Sequence, residues 1–402
     1  MLKHPDPSTN GHTFRMPAYL ALALVFMINM AGTTLPTAIY HDYQTTYGFS
    51  PATITVIFAA YAVGVLGALL AMGSWSDQLG RKRMLMAGLV ASAVSALIFL
   101  FADGLLMLLL GRLVSGISAG IFTSTATVAV IEASPADSRA KAMLAATSSN
   151  MLGLGFGPVL SGALVEFAPW PMRFSYLAHI ALLVPAWLLL RRAPETARVA
   201  DHPKLHMQRI ALPREVRAAF VPAALSGFAG FVVVGFFTAV SPQLMRNVLG
   251  YRSGLLIGLA VFFIFLCSAI GQAVEKRIPQ KWRQRTGSVA LVIGLALLGL
   301  CASLHSSTAF VIGTMLCGLG QGISFRAALG ELSNRSPAER KAEVTAAFFV
   351  VLYVAISLPV IAIGVAVQRI GITPATITFA AITVVIVLIS LAWLHRVEKA
   401  QS

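Results

Sequence analysis

The chain has 402 residues, of which 57% are hydrophobic and 11% charged, with a formal net charge of +15 and a mean hydropathy of +0.80. Water-soluble domains carry about 25% charged residues, so these values exclude a soluble globule and point to an integral membrane protein. The bases fall in short connectors between apolar runs rather than on one polar face, which excludes a nucleic-acid surface and marks them as topology signals.

Residues 1–16 are polar and contain two prolines, the pattern of a solvated tail. The apolar run that follows is too long for a signal peptide, and many like it come after, so nothing marks it for cleavage. A hydrocarbon core about 30 Å thick takes roughly 20 helical residues. By that ruler, spans fall at 17–39, 53–74, 84–102, 105–131, 142–165 and 172–190. A polar connector, 191–216, separates them from a second set at 217–240, 253–274, 287–304, 308–329, 344–367 and 373–394, and residues 395–402 form a short polar end. The expected fold is all-α and integral to the membrane: twelve transmembrane helices in two six-helix bundles, 17–190 and 217–394.

Alternate connectors hold nearly all the bases, among them Lys3, Arg15, Arg81, Lys82, Arg83, Arg139, Lys141, Arg198, Lys204 and Arg209. The opposite side keeps only Arg173, Arg246, Arg252 and Arg369. This asymmetry puts the tail, the 191–216 connector and 395–402 in the cytoplasm. Cys267, Cys301 and Cys317 lie inside apolar runs without metal-ligand spacing, so they read as packing residues. No metal site or cofactor is expected.

The halves echo each other at a separation near 200 residues. "GRLVSGISAGIF" from Gly111 compares with "GTMLCGLGQGIS" from Gly313, "SPADSRAKA" from Ser134 with "SPAERKAEV" from Ser336, and "GPVLSG" ending at Gly162 with "PVIAIG" ending at Gly364. Each match is weak alone, but together they keep one order and spacing. Repeated halves around a midplane site are a common construction of secondary transporters.

"GSWSDQLGRKRML", between the second and third spans, resembles the loop motif of the major facilitator superfamily, with Gly73, Asp77, Gly80, Arg81 and Lys82 in the matching places. The resemblance runs over nearly the whole chain. It implies a gating network in which Asp77, the bases, Glu132 and Arg139 latch the two halves in one conformation. A carboxylate there can take charge-assisted bonds; the competing reading is that the bases are topology anchors only. The second half has a degenerate version with Glu275 in the acidic place. "GRLVSGISAG" resembles the family's fourth-helix motif, whose intramembrane arginine is linked to proton coupling, and Arg112 matches it. A buried base is a functional candidate by default, although it can also serve structurally by bonding helix carbonyls. "GLGFGPVLSGAL" resembles the fifth-helix antiporter motif through Gly153, Gly157, Pro158 and Gly162, implying a pliable bend; small-residue helix packing is the alternative.

In this family's fold the cavity is lined mainly by the first, fourth, seventh and tenth helices. The candidates there are Asn29, Thr33, Thr34, Ser115, Gln243 and Gln321, with Phe236, Phe237 and Phe325 as aromatic wall; the polar ones can equally be helix–helix glue. Many drug–proton antiporters of the family keep an acid in the first helix, where this chain has Asn29; the nearest acid, Asp42, follows the expected span. Arg112 would therefore favour neutral or anionic cargo. Glu132, Glu166 and His179 are the proton-carrier candidates, His179 more simply a packing residue, and Arg326 is expected to snorkel or to pair with Glu331.

The absence of H-E-x-x-H, paired cysteines and a G-x-x-x-x-G-K loop argues against an enzyme or a P-loop pump. The expected function is secondary active transport: a proton-coupled exporter of small organic compounds or drugs by alternating access, with a metabolite importer of the same fold as the alternative. The partners are a small-molecule substrate, protons and the lipid bilayer, with no nucleic acid. The expected place is a bacterial inner membrane, where a monomer suffices for the mechanism.

Overall fold

In this computed structural model the described residues are 16–197, 199, 201, 202, 205, 207, 208, 210–337 and 340–399. Lys3, Arg15, Arg198, Lys204 and Arg209 lie outside them. Among the described residues there is no strand; twelve helices are long and apolar enough to cross a membrane. Only helices can do so as single segments, because lipid offers backbone groups no partner.

The first six are α1 Ala18–Tyr47, α2 Pro51–Met72, α3 Arg81–Leu100, α4 Leu105–Glu132, α5 Arg139–Phe167 and α6 Pro171–Arg192. After the connector come α7 Arg214–Ala239, α8 Gly254–Val274, α9 Gln280–Leu304, α10 Ser307–Arg335, α11 Lys341–Ile370 and α12 Ile372–Lys399. Their starts carry ordinary chemistry. Ser50, Ser253 and Ser306 each accept the backbone N–H three residues on, and Pro51 and Pro171 occupy first-turn positions whose N–H is dispensable.

Several helices run a turn or more beyond the apolar windows, because hydropathy marks hydrocarbon and not the helix. The largest departure is α1, which breaks at Leu35 and restarts at Pro36 to reach Tyr47. Asp42 is thus inside the helix rather than after the span. A short helix, Ser241–Asn247, likewise extends the end of α7.

Wide apolar faces on α3, α9 and α12 stay exposed, as at Val90, Val94, Leu97, Val289, Ile293, Ile382 and Val385. Those faces meet lipid, so helix association rests on close packing rather than on burial from water. Glycines provide it where a Cβ has no room. A Cβ on Gly116 of α4 would lie 2.2 Å from the Tyr61 carbonyl of α2, and one on Gly318 of α10 would lie 2.6 Å from the Ile264 carbonyl of α8. The repeat therefore reappears as two equivalent helix contacts.

Candidate transport cavity and its charged flank

The halves meet along two seams at the end of the molecule away from the Arg81 loop. Along the first, a Cβ on Gly162 of α5 would sit 2.2 Å from the Gly254 carbonyl of α8, and one on Gly258 would sit 2.2 Å from the Pro158 carbonyl. Glu166 finishes this seam by accepting Ser253 Oγ at 2.6 Å and the Leu255 N–H at 3.0 Å. Along the second, Gly364 of α11 lies against Thr55 of α2.

Toward the basic face the halves separate. A central cavity of about 370 Å³ lies between them, and a cleft of about 690 Å³ at the basic face shares Ile131, Met143, Thr147, Gln272 and Arg326 with it. The cavity thus leads to that face and is shut at the other.

Eight helices line the cavity, with α1, α4, α7 and α10 giving a little over half of the lining residues. Much of its wall comes from α2, α5, α8 and α11, because these hold the halves together above it. Thr33, Thr34, Arg112, Gln321 and Phe325 are on the wall. Four further candidates, Asn29, Ser115, Phe236 and Phe237, are buried and not on it. Asn29 faces α4, where its Oδ1 accepts Ser118 Oγ at 3.1 Å. The two phenylalanines turn outward into the second half, Phe236 stacking on Phe379 at 4.7 Å and Phe237 reaching Phe310 at 6.0 Å. Gln243 lies in a separate surface pocket at the closed end, beyond the seams.

Sequence reasoning missed Phe58, Tyr61, Phe231, Phe349 and Tyr353, which form an aromatic wall, and the polar residues Thr123, Thr127, Thr147, Asn150 and Gln272. A signal existed. Thr123, Thr127 and Ile131 recur at helical spacing of four, as do Met143, Thr147 and Met151, and such stripes mark one face of a helix. In the second half Gln272 Nε2 donates to Ser268 Oγ, whose own hydroxyl donates to Gln321 Oε1 at 2.5 Å.

Arg112 is 2% exposed. Its Nη1 donates to the Thr33 carbonyl at 2.6 Å and its Nη2 to that of Phe58 at 3.3 Å, beside the Pro36 break in α1. The guanidinium carbon lies 4.9 Å from the Tyr61 ring centre and 5.5 Å from that of Phe58. Thr314, its repeat counterpart, bonds its own helix at the Phe310 carbonyl. His179 is buried against Gly32 with Nε2 3.1 Å from Ser92 Oγ, away from the cavity.

The α5 glycines face two ways. Gly153 and Gly157 seat α5 on the Met27 and Ala31 carbonyls of α1, whereas Gly162 and Pro158 face α8. Proline cannot donate an N–H to the Leu154 carbonyl four residues back. Thr34 Oγ1 takes that place from α1 at 2.8 Å.

The charged loop gathers Gly73, Asp77, Gly80, Arg81, Lys82 and Glu132, but it does not bridge the halves here. Arg81 reaches Asp77 at 2.6 Å and Glu132 at 3.2 Å, and its Nη1 donates to Ser76. Gly80 has φ +102, a conformation that favours glycine. A side chain there would strike Glu195, which lies in the connector and was not foreseen. Glu195 accepts the Arg81 and Lys82 N–H groups at 2.7 and 3.1 Å, capping α3, while Lys82 Nζ donates to the last carbonyls of α6. Among the described residues the partners of Arg81 and Lys82 are in the first half or the connector, since the second half stands across the open cleft. Arg139 lines that cleft, outside the network. Glu275 in the degenerate loop pairs with Arg283 at 2.9 Å and Arg326 at 3.7 Å. Glu331 is taken by Arg335, so the expected Arg326–Glu331 pair is not formed.

Residues 22–359 match the family model described as Major Facilitator Superfamily. The chain belongs to that superfamily. It is 25% identical to Multidrug resistance protein MdtM of Salmonella typhimurium, over 71% of this chain and 70% of that protein. With Chloramphenicol resistance protein CraA of Acinetobacter baumannii it shares 24% identity over 72% of this chain and 70% of the relative. Among solved structures, this superfamily member is similar to a bacterial homologue of the human lysosomal transporter Spinster in an inward-facing, occupied conformation. The TM-score is 0.75 at 16% identity, covering 95% of this chain and 96% of that one.

Proposed function

We propose that this transporter exports small aromatic organic compounds from a bacterial cytoplasm, coupled to protons, as a monomer with both termini inside. The observation that carries the reading is an aromatic-walled cavity joined to a mouth at the basic face and shut at the opposite face. With the basic face inside, this is the cargo-loading state. A cavity of about 370 Å³ falls within the range of drug-sized pockets, and the drug-resistance relatives support export over import.

Alternating access follows from the seams. Export requires the α5–α8 and α2–α11 contacts to part while the cleft closes beneath the cargo. The domain division at 191–216 leaves each bundle able to move as a unit, and the Asp77–Arg81–Glu132 cluster keeps the moving ends of α2, α3 and α4 together. Arg112 fastens the broken α1 to α2 and α4, which is how we assign it to coupling: charge arriving beside it bears on three helices at once.

The test is growth inhibition by a broad panel of toxic compounds in a bacterium lacking its main efflux pumps. Expression should raise resistance to several aromatic compounds. An uncoupler, Arg112→Ala or Asp77→Ala should each remove that resistance at equal membrane abundance. No resistance from a protein shown to reach the membrane would overturn the reading.

A further inference from the structure

The cavity has an electrostatic property that export of organic compounds does not require. Arg112 and Arg326 are the charged side chains on its wall, and no Asp or Glu lines it among the described residues. Arg326 is partly neutralised by Glu275, 3.7 Å away, which Arg283 also shares. Among the described residues Arg112 has no carboxylate partner. Two carbonyls and two ring faces ease its burial, yet Nε has no hydrogen-bond partner. Carbonyl dipoles lower the cost of a buried cation but leave its net charge in place, and surroundings of low polarity strengthen its pull on an anion.

We infer that the cargo is an amphipathic aromatic anion of the carboxylate or sulfonate class. Its charged head sits at Arg112 and its ring lies against the aromatic wall. This rests on the exporter reading and narrows it. A lipophilic cation would meet like charge and find no carboxylate. A neutral aromatic would fill the same walls and leave the guanidinium uncompensated. The anion alone gains from both, and bidentate recognition of oxyanions, planar or tetrahedral, is what a guanidinium does best. The uncompensated charge lies in the first half, since Thr314 stands at its repeat position in the second and Arg326 there shares Glu275, so the cavity gives an elongated anion one preferred orientation.

Three probes of nearly equal shape and different charge test this: naphthalene-2-sulfonate, naphthalene-2-sulfonamide and trimethyl(2-naphthylmethyl)ammonium. Binding is measured by calorimetry on the full chain in nanodiscs. The sulfonate should bind at least tenfold tighter than the ammonium and severalfold tighter than the sulfonamide. Arg112→Gln should erase the sulfonate preference, bringing sulfonate and sulfonamide affinities within about twofold of each other. Asn150→Asp keeps the side-chain shape and puts a carboxylate on the wall; it should weaken the sulfonate and improve the ammonium, even if Arg112→Gln fails to fold. Equal or tighter binding of the ammonium or the sulfonamide by the unmodified protein overturns the anion assignment and leaves the exporter reading standing. Binding of none of the three also overturns it, and the resistance panel then judges the exporter reading alone.

Discussion

Gly258 offers a wedge at the far end of the α5–α8 seam. A Cβ there would lie 2.2 Å from the Pro158 carbonyl oxygen and 2.7 Å from its carbon, whereas real Cβ contacts essentially never fall under 3.0 Å. The obstacle is backbone, which cannot swing aside as a side chain can, so Gly258→Ala must part the two helices by most of an ångström. Overpacking of this kind costs about 1–3 kcal/mol. The seam is closed in the state that is open at the basic face. If the opposite state opens it, the whole cost falls on one side of the equilibrium, and populations shift about 5- to 150-fold. Leu144 and Ala273 stand on the two sides of the cleft. Spin labels there, read as pulsed EPR distances, should show the mouth-closed population rising in Gly258→Ala. Gly67→Ala is the control, since a Cβ at Gly67 meets nothing within 4 Å. An unchanged distance distribution in monodisperse Gly258→Ala protein would refute the seam as a gate.

Thr34→Val leaves the Leu154 carbonyl without its hydroxyl donor and should lower unfolding stability by about 1–2 kcal/mol. Pro158→Ala returns an N–H to that carbonyl, so a denaturation double-mutant cycle should find Thr34→Val nearly neutral in its presence. Glu195→Gln keeps the shape of the α3 cap and removes its charge, for an expected loss of about 0.3–1 kcal/mol at low salt; a thermal melt should show the difference shrinking as salt rises. Glu275→Gln frees Arg326 of its counter-charge, and binding of naphthalene-2-sulfonate should tighten severalfold in calorimetry. Glu166→Gln weakens the acceptor that spans the closed end, so the EPR mouth distances should move in the same direction as in Gly258→Ala.

The spans were legible because lipid leaves a run of apolar residues few alternatives to helix. Their ends were not. Arg81, Lys82 and Arg83 read as loop by hydropathy but form the first turn of α3, where Glu195 meets their backbone. The apolar ruler ends the first span at residue 39, but proline starts helices well, and α1 resumes at Pro36 and carries Asp42 inside it. The cavity was harder still. In "GFAGFVVVGFF" four phenylalanines compete for one face, and successive residues point about 100° apart. Helix rotation alone decides that Phe231 meets the cavity while Phe236 and Phe237 turn toward Phe379 and Phe310. Glu195 belongs to no motif; only the path of the connector brings it to Gly80.

The repeat and the chemistry divide the molecule between them. Where the halves match, as at Gly116 and Gly318, the contacts are glycine against carbonyl, which suits surfaces that must pack closely and slide. Where they fail to match, at Arg112 and Thr314, the difference is a full buried charge. A symmetric cavity could bind cargo but would give it no preferred direction. An uncompensated guanidinium in the first half, with the neutral Gln272–Ser268–Gln321 hydrogen-bond chain in the second, supplies one. Moving that charge should therefore do what removing it cannot. The double variant Arg112→Gln with Thr314→Arg keeps the formal charge of the protein and moves it to the repeat position in the other half. If charge alone sets affinity, sulfonate binding should return; if the built site around Thr33, Phe58 and Tyr61 is needed, as we expect, it should remain at least tenfold weaker than in the unmodified protein.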